Sequence, residues 1–169
     1  MSRITPTAWT AAEGWYRRIL DMPFIRELIT GELRRPAFEF YILQDSLYLQ
    51  IYAEVLAIMG ARSRDRDMCQ MFCRHAAEAV EVERALHAGF IGSFETHQPG
   101  IPQSKACRAY CDFLLAAAYH LPYPGALGAV LPCYWVYREV GKHVLGAAGK
   151  LDDHPYRAWI ETYADESFA

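Results

Sequence analysis

The sequence predicts an all-α fold. Apolar residues recur at three- and four-residue steps along most of the chain, the period of a helix with one face turned inward. No stretch alternates apolar and polar residues as a strand does, and there is no internal repeat or low-complexity run. The breaks between periodic stretches fall at prolines, glycines and a few serines, which start and stop helices.

Taken in order, Trp9, Ala12, Trp15, Tyr16, Ile19 and Leu20 form the stripe of a first amphipathic helix. A short second helix runs from Pro23, at its first position, to Thr30, and Gly31 stops it. Pro36 opens a long third helix through Gly60, with Phe40, Leu43, Leu47, Ile51, Val55 and Ile58 as its apolar set. A helix that is apolar over most of its circumference is expected to be central. Residues 63 to 90 read as an Ala-rich fourth helix capped by Ser63, and Gly92 to Pro102 as a loop. A fifth helix covers Ser104 to His120 and is closed by Leu121-Pro-Tyr-Pro-Gly. The sixth spans Ala126 to Ala147, where Pro132 removes an internal hydrogen bond and is expected to bend it. The last begins near His154-Pro155 and is still running at Ala169.

A chain of 169 residues fits one domain, residues 1–169, which would bury roughly 70% of its unfolded surface. With 53% hydrophobic residues it can build a core without disulfides or a structural metal. Its 20 acidic and 17 basic side chains leave a charge of -3, which argues against a nucleic-acid-binding face. Arg62, Arg64 and Arg66 are interleaved with Asp65 and Asp67 and read as a solvated helix start. Met1-Ser-Arg-Ile-Thr-Pro shows no charged-then-apolar run of a secretion signal. The most apolar stretch, Ala126 to Tyr137, is cut by Pro132 and falls short of the ~18 residues of a membrane span. The odd count of five cysteines fits free thiols in a reducing compartment, and the expected location is the cytoplasm.

Two stretches could carry chemistry. In Gln44-Asp45-Ser46-Leu47-Tyr48-Leu49, a carboxylate sits on a largely apolar helix, and Tyr48, three residues on, shares its face. A buried carboxylate is costly unless paired. Asp45 is therefore either satisfied by a neighbouring helix or placed to accept from a ligand's amino group, with Tyr48 stacking on the ligand ring. In Leu131-Pro-Cys-Tyr-Trp-Val-Tyr137, Cys133 and Tyr137 lie one turn apart on one face, just after a proline. Cys133 is either a small buried hydrophobe or a nucleophile, and the second role needs access and a lowered pKa. The pairs Cys69/Cys73 and Cys107/Cys111 could in principle form a four-thiolate zinc site, but they lack Cys-x-x-Cys knuckles. His75 and Glu78 make one His-x-x-Glu step without the paired Glu-x-x-His helices of a di-iron protein. No metal is expected. No nucleophile elbow, phosphate loop or DNA-reading helix is present.

Together these segments resemble the TenA family of thiaminase II or aminopyrimidine aminohydrolase proteins, in the branch with a cysteine at the position of Cys133. The likeness runs over about residues 15 to 168 in the family's order. It begins with Phe38-Glu-Phe-Tyr-Ile-Leu-Gln-Asp-Ser-Leu-Tyr-Leu and continues with Glu83-x-x-x-His87 and Ala109-Tyr110. Leu131-Pro-Cys-Tyr-Trp-Val-Tyr-Arg-Glu-Val-Gly141 and Tyr156-Arg-Ala-Trp-Ile-Glu-Thr-Tyr163 complete it.

The resemblance implies a haem-oxygenase-like helical bundle, assembled as a homotetramer, that needs no metal or organic cofactor. It implies hydrolysis of an aminomethyl-pyrimidine to hydroxymethyl-pyrimidine in thiamin salvage, and cleavage of thiamin itself. By the same resemblance Cys133 is the nucleophile and Asp45 orients the pyrimidine. Tyr48 stacks on the ring, and Tyr110, Tyr137 and Tyr163 hydrogen-bond around the leaving group and water. Family members continue beyond the helix of Tyr163 with one or two helices that carry a catalytic glutamate, whereas this sequence ends at Ala169. The expectation is thus a truncated domain with an open pocket that self-associates through exposed apolar surface. It would be a poor hydrolase, because general acid–base groups contribute ~10²–10⁴ in rate. The alternatives are a pyrimidine-binding protein with little turnover, or a redox enzyme on the same bundle, against which the lack of a paired Glu/His set counts.

Overall fold

The computed structural model describes the backbone of residues 4–89 and 101–164, and the side chains of residues 6–85 and 101–162. Among the described residues there are seven α-helices and no strand: α1 (Ile4–Leu20), α2 (Pro23–Thr30), α3 (Arg35–Arg62), α4 (Arg66–Gly89), α5 (Lys105–His120), α6 (Tyr123–Ala148) and α7 (Arg157–Ala164). The all-α expectation holds. The chain forms two compact units, one of Met1–Arg34 with Pro132–Ala169 and one of Arg35–Leu131.

In the continuous unit, α3 packs against both α4 and α5. Its buried residues differ from the stripe read off the sequence. Val55 is buried, but Phe40 is half exposed, and Leu43, Leu47, Ile51 and Ile58 are only partly covered. The buried positions instead include Phe38, Ile42, Tyr48, Tyr52, Leu56 and Met59, and among them Glu39, Gln44, Asp45 and Ser46. Polar side chains on that face are tolerated because they have partners, which spacing along one helix does not reveal. Glu39, for example, takes the Arg35 guanidinium at 2.8 Å.

Helix α3 runs on to Arg62, so Ser63 stays in its tail, its amide donating to the Gly60 carbonyl at 3.1 Å. Ser63 is therefore not the cap of α4. That cap is Asp65, whose carboxylate accepts from the Met68 amide at 2.9 Å, and α4 starts at Arg66. Arg62 is not simply solvated either. Its guanidinium donates to the carbonyls of Ala118 and Leu121, the latter at 2.6 Å, and neutralises the carbonyl end of α5. Ser104 caps α5 as its sequence predicts, accepting from the Cys107 amide at 3.2 Å. Helix α6 begins at Tyr123, earlier than expected, because Pro124 falls in the first turn, where its missing N–H costs nothing. It continues through Pro132. Most of the expected Gly92–Pro102 loop lies outside the described residues.

In the other unit, the C-terminus of α2 is closed by Gly31 at φ 76°, whose amide bonds back to the Leu28 carbonyl. The segment before α7 packs onto this turn. Tyr156 donates its hydroxyl to the Leu33 carbonyl, and a His154 ring nitrogen lies 3.4 Å from the Ile29 carbonyl. The Tyr156 amide is taken by His154 Nδ1 at 3.2 Å, so residues before Arg157 turn and α7 starts later than expected. Residues 165–169 lie outside the description. A side chain at Gly31 would strain the left-handed backbone and place a Cβ 3.2 Å from Pro155 Cδ. Gly31→Ala is expected to lower stability by about 1–2 kcal/mol in denaturant titration. An unchanged midpoint would show that this turn relaxes freely. On α1, Trp15 departs from the predicted stripe: it is 66% exposed, with the Arg18 guanidinium 4.9 Å from its ring centre.

Candidate active site

The buried run Gln44-Asp45-Ser46 on α3 is held from both sides. Gln44 reaches α5: its Oε1 accepts from the Ser104 amide at 2.7 Å, and its Nε2 donates to the Pro102 carbonyl at 3.4 Å. Ser46 reaches α4, donating to Glu83 Oε1 at 2.8 Å, and Gln50 donates to the same oxygen at 3.2 Å. Asp45, 5% exposed, lies between these two clamps in sequence. Sequence reasoning missed Gln44 and Ser46 as supports, although three consecutive polar residues in an apolar helix were the available signal.

One turn after Gln44, Tyr48 lies near-parallel to two other tyrosines. Its ring centre is 5.3 Å from Tyr52 at 19° and 5.9 Å from Tyr110 of α5 at 17°. Tyr110 continues the row to Phe113 at 6.4 Å and 17°. Tyr48 is buried and Tyr110 is 39% exposed, so the row leads from the interior of this unit toward its surface. Near-parallel rings beside a carboxylate suit a flat, amino-bearing heterocycle: the faces stack and the carboxylate accepts from the ring's donors. Three of the predicted site residues, Asp45, Tyr48 and Tyr110, thus belong to the continuous unit, two of them stacked directly.

Cys133 and Tyr137 belong to the other unit. Pro132 leaves the Gly128 carbonyl without its usual intrahelical donor, and Cys133, the next residue, is buried at 8% exposure. Tyr137, half-buried, follows one turn later. Helix α6 meets α1 at two points. Trp135 packs edge-on against Trp9 at 5.7 Å and 85°, and Tyr16 donates its hydroxyl to the Glu139 carbonyl at 3.1 Å. Burial, and then the Glu139 carboxylate, push the Tyr16 phenol up, which keeps it a donor. Two residues are about 200° of helix, so anchoring Trp135 to α1 turns Cys133 and Tyr137 away from α1. Tyr163 lies in α7, and its side chain falls outside the described residues, as does that of His87.

The remaining cysteines differ in burial. Cys73 is exposed, with its sulfur against Gly60, where a Cβ would come within 2.9 Å of it. Cys111 is buried, and burial followed by contact with Cys107 pushes its thiol up to about 11. Gln103 donates to both Cys107 and Cys111 sulfurs, at 3.3 and 3.2 Å. Among the described residues no three His, Cys, Asp or Glu side chains gather as a metal ion would require. His75 is lowered by burial, partly offset by Glu78, which pairs instead with Arg74 at 3.7 Å. In the folded protein at neutral pH, an alkylating reagent is expected to modify Cys73 well before Cys111, which is almost wholly protonated there. Peptide mass spectra reporting Cys111 first would contradict this arrangement. A test of Cys133 reactivity accordingly needs Cys73 replaced.

The described helices thus hold a buried carboxylate and a row of near-parallel aromatic rings within one unit. The chain belongs to the TENA/THI-4/PQQC family, whose profile matches residues 9–169. It is 38% identical over 164 residues to the thiamine biosynthesis multifunctional protein ThiED of Corynebacterium glutamicum, covering 97% of this chain and 21% of that protein. It is 31% identical over 163 residues to the aminopyrimidine aminohydrolase of Bacillus subtilis, covering 94% of this chain and 68% of that enzyme. Among solved structures, the TenA homologue protein from P. horikoshii OT3 superposes with a TM-score of 0.84 at 27% identity, covering 98% of this chain and 78% of that one. The chain therefore spans about a fifth of the length of the ThiED protein. No helix among the described residues is long and apolar enough to cross a membrane.

Proposed function

We propose that this chain is a thiamin-salvage hydrolase of the thiaminase II type, converting an aminomethyl-pyrimidine to hydroxymethyl-pyrimidine and ammonia and cleaving thiamin at the same methylene. The observation that carries this reading is the Asp45 carboxylate, buried on α3 one turn before the stacked Tyr48 and Tyr110. Similarity to an aminopyrimidine aminohydrolase supports the same substrate class. In this reading Asp45 accepts from the pyrimidine's amino group and ring edge, which fixes the ring and makes it more electrophilic. Tyr48 stacks on its face.

Cys133, as a thiolate, adds to an electron-poor ring carbon and interrupts the aromaticity. The group on the methylene then departs with the electron pair of its C–N bond, as ammonia once the amine has taken a proton, or as the neutral thiazole from thiamin's cationic ring, which needs none. Water adds to the exocyclic methylene and gives up a proton, and expulsion of the thiolate restores the ring. Two moderate barriers thus replace one high one. Tyr110, Tyr137 and Tyr163 hydrogen-bond the leaving group and the water in this scheme. The reading extends to a single TenA-like domain acting as a cytoplasmic homotetramer, and light scattering of the purified chain measures that assembly. The decisive assay follows aminomethyl-pyrimidine, thiamin and their products by chromatography. Release of hydroxymethyl-pyrimidine from either substrate supports the hydrolase. Tight pyrimidine binding without product would make this chain a binding protein instead.

A further inference from the structure

We infer that Gln44 is a positioning residue for the pyrimidine platform, holding α5 at the register where Tyr110 stacks on Tyr48; the inference rests on the function proposed above. Three contacts converge on this one residue. The Ser104 amide donates to its Oε1 at 2.7 Å, its Nε2 donates to the Pro102 carbonyl at 3.4 Å, and the Cys107 thiol donates to its backbone carbonyl at 3.5 Å. All three partners lie at the entry to α5, and Ser104 is itself the cap whose Oγ takes the Cys107 amide. Gln44 is 8% exposed, so these bonds are made with little competition from water.

The lever arms are short. Tyr48 lies four residues beyond Gln44, about 6 Å along α3, and Tyr110 six residues beyond Ser104, about 9 Å along α5. A helix is stiff over such distances, so an entry point fixed at Gln44 fixes the Tyr110 ring relative to Tyr48. The observed result is a near-parallel pair, 5.9 Å between centres and 17° apart. Cys107 lies one turn before Tyr110 on the same helix and is held by the Gln103 amide as well, which limits rotation of that turn. Gln44 touches neither ring's partner role directly. It sets the geometry with which the platform receives a heterocycle.

The test compares Gln44→Met, which keeps length but removes the acceptor and donor, with Gln44→Glu, which keeps the acceptor for the Ser104 amide. Fluorotyrosine is incorporated, and the Tyr110 resonance is identified by its loss in Tyr110→Phe. In Gln44→Met that resonance is expected to move and broaden as the Tyr48 ring current is lost. KM for the aminomethyl-pyrimidine should rise about tenfold while kcat stays within about threefold. Gln44→Glu should restore both most of the way. A folded Gln44→Met with native Tyr110 resonance and native KM overturns the inference. Should that variant not fold, Gln44→Glu decides: a displaced Tyr110 resonance there overturns the role of the Ser104 bond, and a native one supports it. If the unmodified protein does not turn over the aminopyrimidine, the proposed function falls, while the Tyr110 resonance still decides what Gln44 does.

Discussion

Cys133→Ser is expected to bind pyrimidine normally and to lose turnover of the aminomethyl-pyrimidine by roughly 10³-fold or more. The substitution is nearly isosteric at a position only 8% exposed, so the helix around it has little reason to change. What changes is the attacking atom. A serine hydroxyl stays protonated at neutral pH and is a far weaker nucleophile toward a ring carbon than a thiolate. Single-turnover kinetics with separate calorimetric measurement of product binding distinguish the two effects. If the serine variant keeps activity within tenfold of the parent, water attacks the methylene directly and Cys133 is only a packing residue.

The second large effect belongs to Asp45. Asp45→Asn preserves size but presents an amide donor where an amino-bearing ring needs a pure acceptor. Binding of hydroxymethyl-pyrimidine is expected to weaken by about 1–3 kcal/mol, or roughly 5- to 150-fold. Calorimetry at equal far-ultraviolet dichroism gives the answer. Unchanged affinity would remove Asp45 from the ligand's surroundings. The two variants also report different steps, since Cys133→Ser acts on kcat alone while Asp45→Asn acts on binding whether or not turnover follows.

Local chemistry made parts of this fold readable in advance. Pro23 and Gly31 bracket α2 because one fixes φ for a first turn and the other tolerates a left-handed stop. Ser104 announces α5 for a similarly local reason. At Ser63 the expected cap fell two residues before the observed one, Asp65, because α3 continues to Arg62, which a single window could not show. Burial was harder to read. Phe40 and Trp15 are apolar yet exposed, whereas Gln44 and Ser46 are polar yet buried. Their partners, Ser104 and Glu83, lie 60 and 37 residues further along the chain, so only the tertiary structure brings them together. The candidate site divides in the same way. Asp45 and Tyr48 stood out as candidates from one helix turn, but the Tyr48–Tyr110 stack needed two helices, as did the approach of the Cys73 sulfur to Gly60.

The turn at Gly31 has a consequence for how the chain comes together in time. The Leu33 carbonyl receives its donor from Tyr156, 123 residues later, and the Gly31 turn is packed by Pro155. During synthesis, α3, α4 and α5 can meet as soon as they emerge, because Arg35–Leu131 is one continuous stretch. Residues of α1 and α2 are made before α3, α4 and α5 but acquire these partners after them. Closing so long a loop adds only a slowly growing, logarithmic entropy cost, so the delay is one of waiting rather than of stability. Helices α1 and α2 are thus the ones of their unit that wait longest for their partners.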